Sequence, residues 1–551
     1  MPDTPNESNV AAAKPAPKPG SRFGGYAILV AAGILLSRVA GLIRTVVFAR
    51  YFGASAAADA FNVALKVPNF LQNMLGEGVL SAAFIPVYSR LLAKGDEKLA
   101  GRVAGVFACF LALGVAVLVI LGVLAAPVIL QITAAGLEPD VMALAVKLTR
   151  ILFPGVGLLV LYAWALGILN AHRQFFIGYV APVLWSAAMI ATMVIFGMSM
   201  RGAPLATALA WGTLVGCGLQ LGIEIPFVMR HSKHLSFGFD RTLEPVRGIF
   251  RNILPVVGGR GVVQISGYID VLLATFFGAG GVSSLLYAQA IYMLPISVFG
   301  MSVANAELPQ MASETGSDEE ISRALRRRLD RSLRQVAFFV IPTAVAFVLI
   351  GRLLIGALYE RGEFTPATTQ LVWYILVGAS VGLLAATLGR LYSSTLYALH
   401  DTKTPFRIAL MRVTGGAALA LLFAFPLRPM FGTSVAAIGL PAPAGIGVAG
   451  ISLASGIAAW IEFFFLRRAV RRRIGAGESK TGFFTKLWIA AVAAGLAALA
   501  IDFLDLNLPL RKFAEAIIAC GVFGVVYFGV AFALGVPEVR ATLGRFVRRR
   551  P

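Results

Sequence analysis

The residues able to do chemistry in this 551-residue chain are charged side chains inside apolar runs, each of about 20 residues and long enough to cross a bilayer as a helix. The first run holds Arg38 and Arg44, and the second holds Lys66 and Glu77 with Asp59 at its mouth. Arg260 and Asp270 fall in the seventh run, Arg390 in the tenth, Arg412 in the eleventh and Glu462 in the twelfth. A charge at mid-bilayer costs at least ~2.5–3.5 kcal/mol, so such residues should face protein, water or substrate. Guanidinium groups bind phosphate through paired, charge-assisted hydrogen bonds, and several cations converging from separate helices suit an anionic substrate. A lipid diphosphate and an anionic metabolite both fit. Arg38 and Arg44 lie six residues apart, which on a straight helix separates them by about 120° and implies a broad polar face. The competing reading for each charge is snorkelling or a buried ion pair, and it is strongest for Arg44 and Arg412. Asp59, Glu77, Asp270 and Glu462 are the acids to consider for a coupled cation.

Backbone breakers flank these charges. Pro68, Pro86 and the triplet Gly76-Glu77-Gly78 interrupt the second run, and Pro295 and Pro309 interrupt the eighth. They free backbone groups and permit bending, so Pro68, Gly76, Gly78 and Pro295 are read as hinges of gating helices, with static packing kinks as the alternative.

The elements that position these residues follow from composition. The chain is 58% hydrophobic and 14% charged, with a mean hydropathy of +0.81. A soluble domain carries roughly a quarter charged residues, so a soluble multidomain enzyme is excluded and an all-α polytopic membrane protein is expected. The expected spans are 25–49, 61–89, 103–130, 141–170, 175–199, 203–229, 250–277, 283–310, 335–358, 367–398, 406–427, 445–466, 484–504 and 513–535, about 14 helices. Residues 1–22 read as a disordered cytoplasmic tail and not as a cleavable signal. With the N-terminus inside, Lys and Arg concentrate in alternate loops, including Arg323 to Arg334 and Arg467 to Arg473, and the C-terminus returns to the cytoplasm. Topology and anionic lipid then account for most of the net charge of +21, and no nucleic-acid partner is needed. Cys109, Cys217 and Cys520 lack CxxC spacing, the four histidines form no HExxH pattern, and no GxxxxGK[ST] loop occurs. No metal site, cofactor or ATP-driven step is expected. The remaining energy sources are a coupling cation, Na+ or H+, or the membrane potential.

A weak internal repeat divides the chain. Residues 49–54 (ARYFGA) return as 274–279 (ATFFGA), and 169–172 (LNAH) returns as 397–400 (YALH). The expected organisation is a tail (1–22), a first lobe of six helices (23–230), and the start of a second lobe (231–310). An interfacial amphipathic linker helix (311–334), the rest of the second lobe (335–470), and two further helices with a basic tail (471–551) follow. Two lobes flanking a central cavity make a transporter. A membrane-embedded glycosyltransferase or a structural scaffold explains these features less well, because the outer loops are short and a scaffold needs no intramembrane cations.

The most specific stretches are 37–53 (SRVAGLIRTVVFARYFG), 58–88 (ADAFNVALKVPNFLQNMLGEGVLSAAFIPVY), 264–277 (QISGYIDVLLATFF) and 396–407 (LYALHDTKTPFR). Through them the chain resembles the MurJ (MviN) lipid II flippases of the multidrug/oligosaccharidyl-lipid/polysaccharide exporter superfamily, from about Gly24 to Val536. The resemblance implies a transporter in the bacterial inner membrane that moves lipid II, an undecaprenyl-diphosphate-linked peptidoglycan precursor, to the periplasmic leaflet by alternating access. It also implies a groove for the lipid tail in the last two helices, and the cell-wall synthesis machinery as a partner. By motif position it makes Arg38, Arg44, Asp59, Lys66, Glu77 and Arg390 substrate-binding residues of the cavity. The chain departs from the family pattern at Gln72-Asn73 and at Ala290, where cations are expected, and at Thr45, where an acid is common. Arg260 is the cation expected to compensate. A flippase for another polyprenyl-diphosphate-linked oligosaccharide, or a cation-coupled drug exporter, is the alternative these departures keep open.

Overall fold

The structure, a computed structural model, describes residues 22–76, 80, 83–437, 443, 445–475, 481–502 and 511–540. These residues are helical with short connections. The first half comprises α1 (Arg22–Phe52), α2 (Ala56–Leu75), α3 (Ile85–Ala93), α4 (Glu97–Thr133), α5 (Pro139–Ala171), α6 (Phe175–Phe196) and α7 (Gly202–His231). The second half begins with α8 (Glu244–Ala274), α9 (Gly281–Pro295) and α10 (Ser302–Ala312), the last two joined by a π-helical stretch at Ile296–Met301. It continues with α11 (Asp318–Leu349), α12 (Gly351–Tyr359), α13 (Pro366–Ser380), α14 (Leu383–Ala398), α15 (Lys403–Ala424), α16 (Arg428–Ala437) and α17 (Gly447–Ile474). A final pair, α18 (Thr481–Asp502) and α19 (Arg511–Ala533), closes the order.

Ten described helices are long and apolar enough to cross a membrane, and α13 with α14, bent by 43°, make an eleventh span. The three expected spans outside that set are α1, α2 with α3, and α8, which carry Arg38, Arg44, Lys66 and Asp270. Successive spans alternate between two faces, here called the basic face, which holds the arginine-rich connections, and the opposite face, where α1 ends and α2 begins.

Local signals fix several helix starts. Ser55 accepts from the Ala58 N–H at 3.2 Å to cap α2, and Asp96 caps α4 through the Leu99 N–H at 3.0 Å. Ser317 and Glu320 form a reciprocal capping box at α11. That box corrects one expectation. Residues 318–334 do not form a separate interfacial helix; they are the first half of the 32-residue α11, which runs on into the ninth span. The amphipathic spacing was real, but Leu325, Leu329 and Leu333 are buried against protein instead of lying on lipid.

Within the first half α1 packs on α6, α2 on α5, and both α5 and α6 on α7; within the second, α15, α13 and α14 pack on α17 and α11 packs on α14. The α18–α19 pair rests on α11, where the Tyr527 hydroxyl donates to the Phe338 carbonyl at 2.6 Å. Cys217 is buried and Cys520 exposed, and both are free, as is Cys109.

The repeat is visible in backbone detail. Gly53 and Gly278 both take positive φ, at 53° and 75°, as the first and seventh spans end. At the basic face the Arg173 N–H bonds to the Asn170 carbonyl and the Gln174 N–H to Leu169, just as His400 bonds to Tyr397 and Asp401 to Leu396. Arg173 and His400 share φ near 60°, at 61° and 58°. The structural equivalence therefore pairs Arg173 with His400, one residue away from the His-to-His register of the sequence match.

Candidate substrate path and its latch

Asp59 is drawn out of any open path. Expected as a cavity residue, it is 1% exposed and accepts from the N–H groups of Gly280 and Ser283, each at 2.7 Å, and from the Ser283 hydroxyl. The chemistry explains the placement. Helix α2 is capped by its own Ser55, whereas α9 follows Gly280, which has no side chain to cap with, so the carboxylate of α2 caps α9 across the molecule.

Further bonds join the halves around it. The Tyr287 hydroxyl donates to the Gly53 carbonyl at 2.8 Å, and Asn62 donates to the Ser283 hydroxyl at 3.3 Å. The Glu363 N–H bonds to the Arg50 carbonyl at 2.9 Å, and the Gly136 N–H to the Thr275 hydroxyl at 3.1 Å. Phe48, Tyr287, Tyr359 and Phe364 stack under these bonds with ring centroids 5.3–6.4 Å apart. All of this lies at the opposite face.

Deeper in, Lys66 sits 5.6 Å from the Tyr268 ring, whose hydroxyl donates to the Lys66 carbonyl. Asp270 is within electrostatic reach of Lys66, and Ser455 of α17 donates to it at 3.3 Å. Arg44 lies 4.5 Å over the Trp185 ring, which ties α1 to α6 through the face of the guanidinium. Arg38 is exposed, and among the described residues no ion pair or hydrogen bond holds it. Pro68 lines a void of about 10 Å³ between α2, α5, α6 and α7, with Trp185 and Cys217 across from it. Gly76 ends α2 by donating to the Gln72 carbonyl at 2.6 Å, and Pro295 leads directly into the π-helical stretch. Helix α2 runs unbroken through Pro68 and stops at Gly76, while the π-helical stretch after Pro295 is an irregularity of the kind that bends a helix. Glu77 and Gly78 lie outside the described residues, as does the side chain of Arg260 within α8.

The second half holds a cluster that sequence reading assembled only in fragments. Arg412 of α15 pairs with Glu462 of α17 at 2.9 Å, and Arg390 of α14 and Tyr292 of α9 stand within electrostatic reach. Arg390 is exposed although Leu388, Gly389, Leu391 and Tyr392 beside it are buried. The Arg412–Glu462 bond crosses between adjacent helices, which no periodicity argument reveals; the signal was the acid at Glu462 in an apolar run.

At the basic face the hydrogen bonds around Tyr88 and around Asp401 are local, and the halves meet there through Phe107 and Phe110 of α4, which pack on Phe250 of α8 with ring centroids 5.5 and 6.1 Å apart. The buried Tyr88 hydroxyl bonds to His172 Nε2 at 3.0 Å and to the Ser232 hydroxyl at 3.1 Å, and the His172 and His231 rings are 5.7 Å apart. Burial, with His231 next, lowers the His172 pKa below the usual imidazole range. In the second half Asp401 accepts from the Thr404 N–H and hydroxyl at 3.0 and 2.8 Å, holding its carboxyl below the usual range, and Arg473 reaches it at 3.3 Å. The 396–407 motif is thus a capped turn into α15. Among the described residues no group of three or more metal-ligating side chains assembles.

Two packed halves of alternating membrane helices define a two-lobed, all-α polytopic membrane fold. A solved structure described as an inward-facing multidrug resistance MATE family transporter of the MOP superfamily shares this fold, with a TM-score of 0.60 and 18% identity over 81% of this chain and 98% of that one. The chain belongs to the lipid II flippase MurJ family, whose model matches residues 48–513. The Burkholderia cenocepacia lipid II flippase MurJ is 30% identical over 92% of this chain and 97% of that protein, and a probable lipid II flippase MurJ of Haemophilus influenzae is 28% identical over 84% and 89%. A solved lipid II flippase MurJ in an inward closed conformation superposes with a TM-score of 0.73 at 25% identity, covering 92% of this chain and 98% of that one. The family is one of transporters and not of enzymes.

Proposed function

We propose that this chain translocates lipid II from the cytoplasmic to the periplasmic leaflet of the bacterial inner membrane by alternating access, with the basic face and both termini in the cytoplasm. Family membership supports the substrate, and the one-sided latch carries the mechanism. Most hydrogen bonds that cross between the halves gather at the opposite face, so a head group would enter from the basic face and leave when the Asp59 clasp opens. Arg38 and Arg390, both exposed, would meet the diphosphate while the tail stays in lipid.

A coupling cation, Na+ or H+, or the membrane potential would drive the cycle. Asp59 is occupied as a helix cap and Glu462 by Arg412, so of the three described acids that the sequence put forward for a coupled cation, Asp270, beside Lys66 and Ser455, is the one we assign to that coupling. The translocated precursor would pass to the cell-wall synthesis machinery. The test is complementation of cells depleted of their own lipid II flippase, with membrane abundance verified. The parent should rescue growth, and Arg38→Ala and Arg390→Ala should not. A well-expressed parent that fails to rescue in its native host would point to another polyprenyl-diphosphate-linked oligosaccharide.

A further inference from the structure

The Arg412–Glu462 pair is built unlike a packing ion pair. Its members are 36% and 16% exposed, its geometry leaves the second guanidinium nitrogen unengaged by Glu462, and a second arginine, Arg390, faces the same space without a carboxylate of its own. Along α15, Arg412 is nine residues from the basic-face end at Lys403, about 14 Å at the helical rise, and Arg390 is eight residues from the matching end of α14, about 12 Å. The two guanidiniums therefore stand at one depth on neighbouring helices. Tyr397, seven residues from Arg390 on the same face of α14, is exposed and within electrostatic reach of Glu462.

The local charge is +2 from the arginines and −1 from Glu462. A diphosphate diester carries two negative charges and matches two guanidiniums, provided the carboxylate gives one up. We propose that Glu462 is a resident counter-anion that the substrate diphosphate displaces from Arg412, so that Arg390 and Arg412 become the second-half phosphate clamp while the Tyr397 hydroxyl takes over Glu462. The exchange involves no covalent step. It keeps Arg412 oriented in the empty transporter, avoids an unpaired buried cation, and returns the pair after release, so that the substrate is not held too tightly to leave. This inference rests on the lipid-linked diphosphate reading above and names a residue that sets the affinity of that site.

The experiment measures lipid II binding to the purified full-length chain in detergent for the parent, Glu462→Gln, Arg412→Ala, Arg390→Ala and the double variant Arg412→Ala/Glu462→Gln, with a melting temperature for each. Glu462→Gln should bind lipid II about fivefold or more tightly than the parent, the scale of a typical coupling between sites. The gain should vanish in the Arg412→Ala background, and Arg390→Ala should weaken binding. A purely structural pair predicts the reverse, with Glu462→Gln binding equally or more weakly, and that result overturns the proposal while parent binding keeps the function reading intact. Failure of the parent itself to bind lipid II, with an intact melting transition, would instead sink the function reading. If Glu462→Gln does not fold, the pair-removing variant Arg412→Ala/Glu462→Ala leaves neither member of the pair without its partner. Its binding should match Arg412→Ala alone, and binding at parental strength would also overturn the proposal.

Discussion

The two faces of the molecule differ in where their hydrogen bonds go. At the opposite face they run between the halves: Asp59 to Gly280 and Ser283, Tyr287 to Gly53, Glu363 to Arg50. At the basic face the hydrogen bonds are local, through Tyr88, His172 and Ser232 and through Asp401, Thr404 and Arg473, and the halves touch there by apolar packing of Phe107 and Phe110 on Phe250. Pseudo-symmetric halves need not use symmetric contacts. The most deeply buried part of the difference is one of capping chemistry, since α2 caps itself with Ser55 while α9 borrows Asp59. A helix start that depends on the other half is an interface that two rigid bundles can make or break as a unit.

The comparison can be broken most severely at Asp59. Replacing it with alanine leaves two buried N–H groups and a hydroxyl without an acceptor, a cost on the order of 3 kcal/mol to the latched state, and should abolish rescue in complementation. Asp59→Asn keeps the shape with a weaker acceptor and should retain partial function. Gly53→Ala comes next. Gly53 has φ +53, and a Cβ there would collide with the Glu363 carbonyl, so the 360–364 turn must move, at about 1–3 kcal/mol, read as a lower melting temperature. Tyr287→Phe removes one latch bond and should cost about 1 kcal/mol in the same measurement.

At the basic face the expected effects are smaller. Because the folded pKa of His172 is depressed, the folded protein resists its protonation. The stability gained by keeping the buried His172 neutral beside His231 is full above the ordinary imidazole pKa of about 6.5 and is lost as the pH falls from there through the lowered folded value. A melting-temperature profile of the parent against His172→Gln should converge on the acid side. Arg102→Ala, which removes an exposed pair with Asp240 at 2.9 Å, should leave stability and function unchanged.

Much of this molecule was legible in its residues. Periodicity and charge alternation located the spans because a bilayer demands long apolar helices with few charges. Arg390 was identified from its isolation in an apolar run. Asp59 was legible as important and not as what it does, because capping in trans depends on α9 beginning at a glycine in the other half. Arg412 and Glu462 were each visible, but their pairing spans 50 residues and depends on how α15 packs on α17. The continuity of α11 was missed because a charged amphipathic segment followed by an apolar one reads as two elements, although no breaker separates them. The approach of the His172 and His231 rings at the basic face carried no spacing signal at all.

The central claim is that the latch at the opposite face must open once in every transport cycle. Asn62 and Ser283 face each other across it with side-chain polar atoms 3.3 Å apart. In a background with Cys109, Cys217 and Cys520 replaced by serine, Asn62→Cys with Ser283→Cys should form a disulfide on oxidation. Lipid II translocation by the reconstituted protein should stop in the oxidised form and return on reduction, while either single cysteine variant keeps transporting under both conditions. Undiminished translocation by fully cross-linked protein would contradict the account.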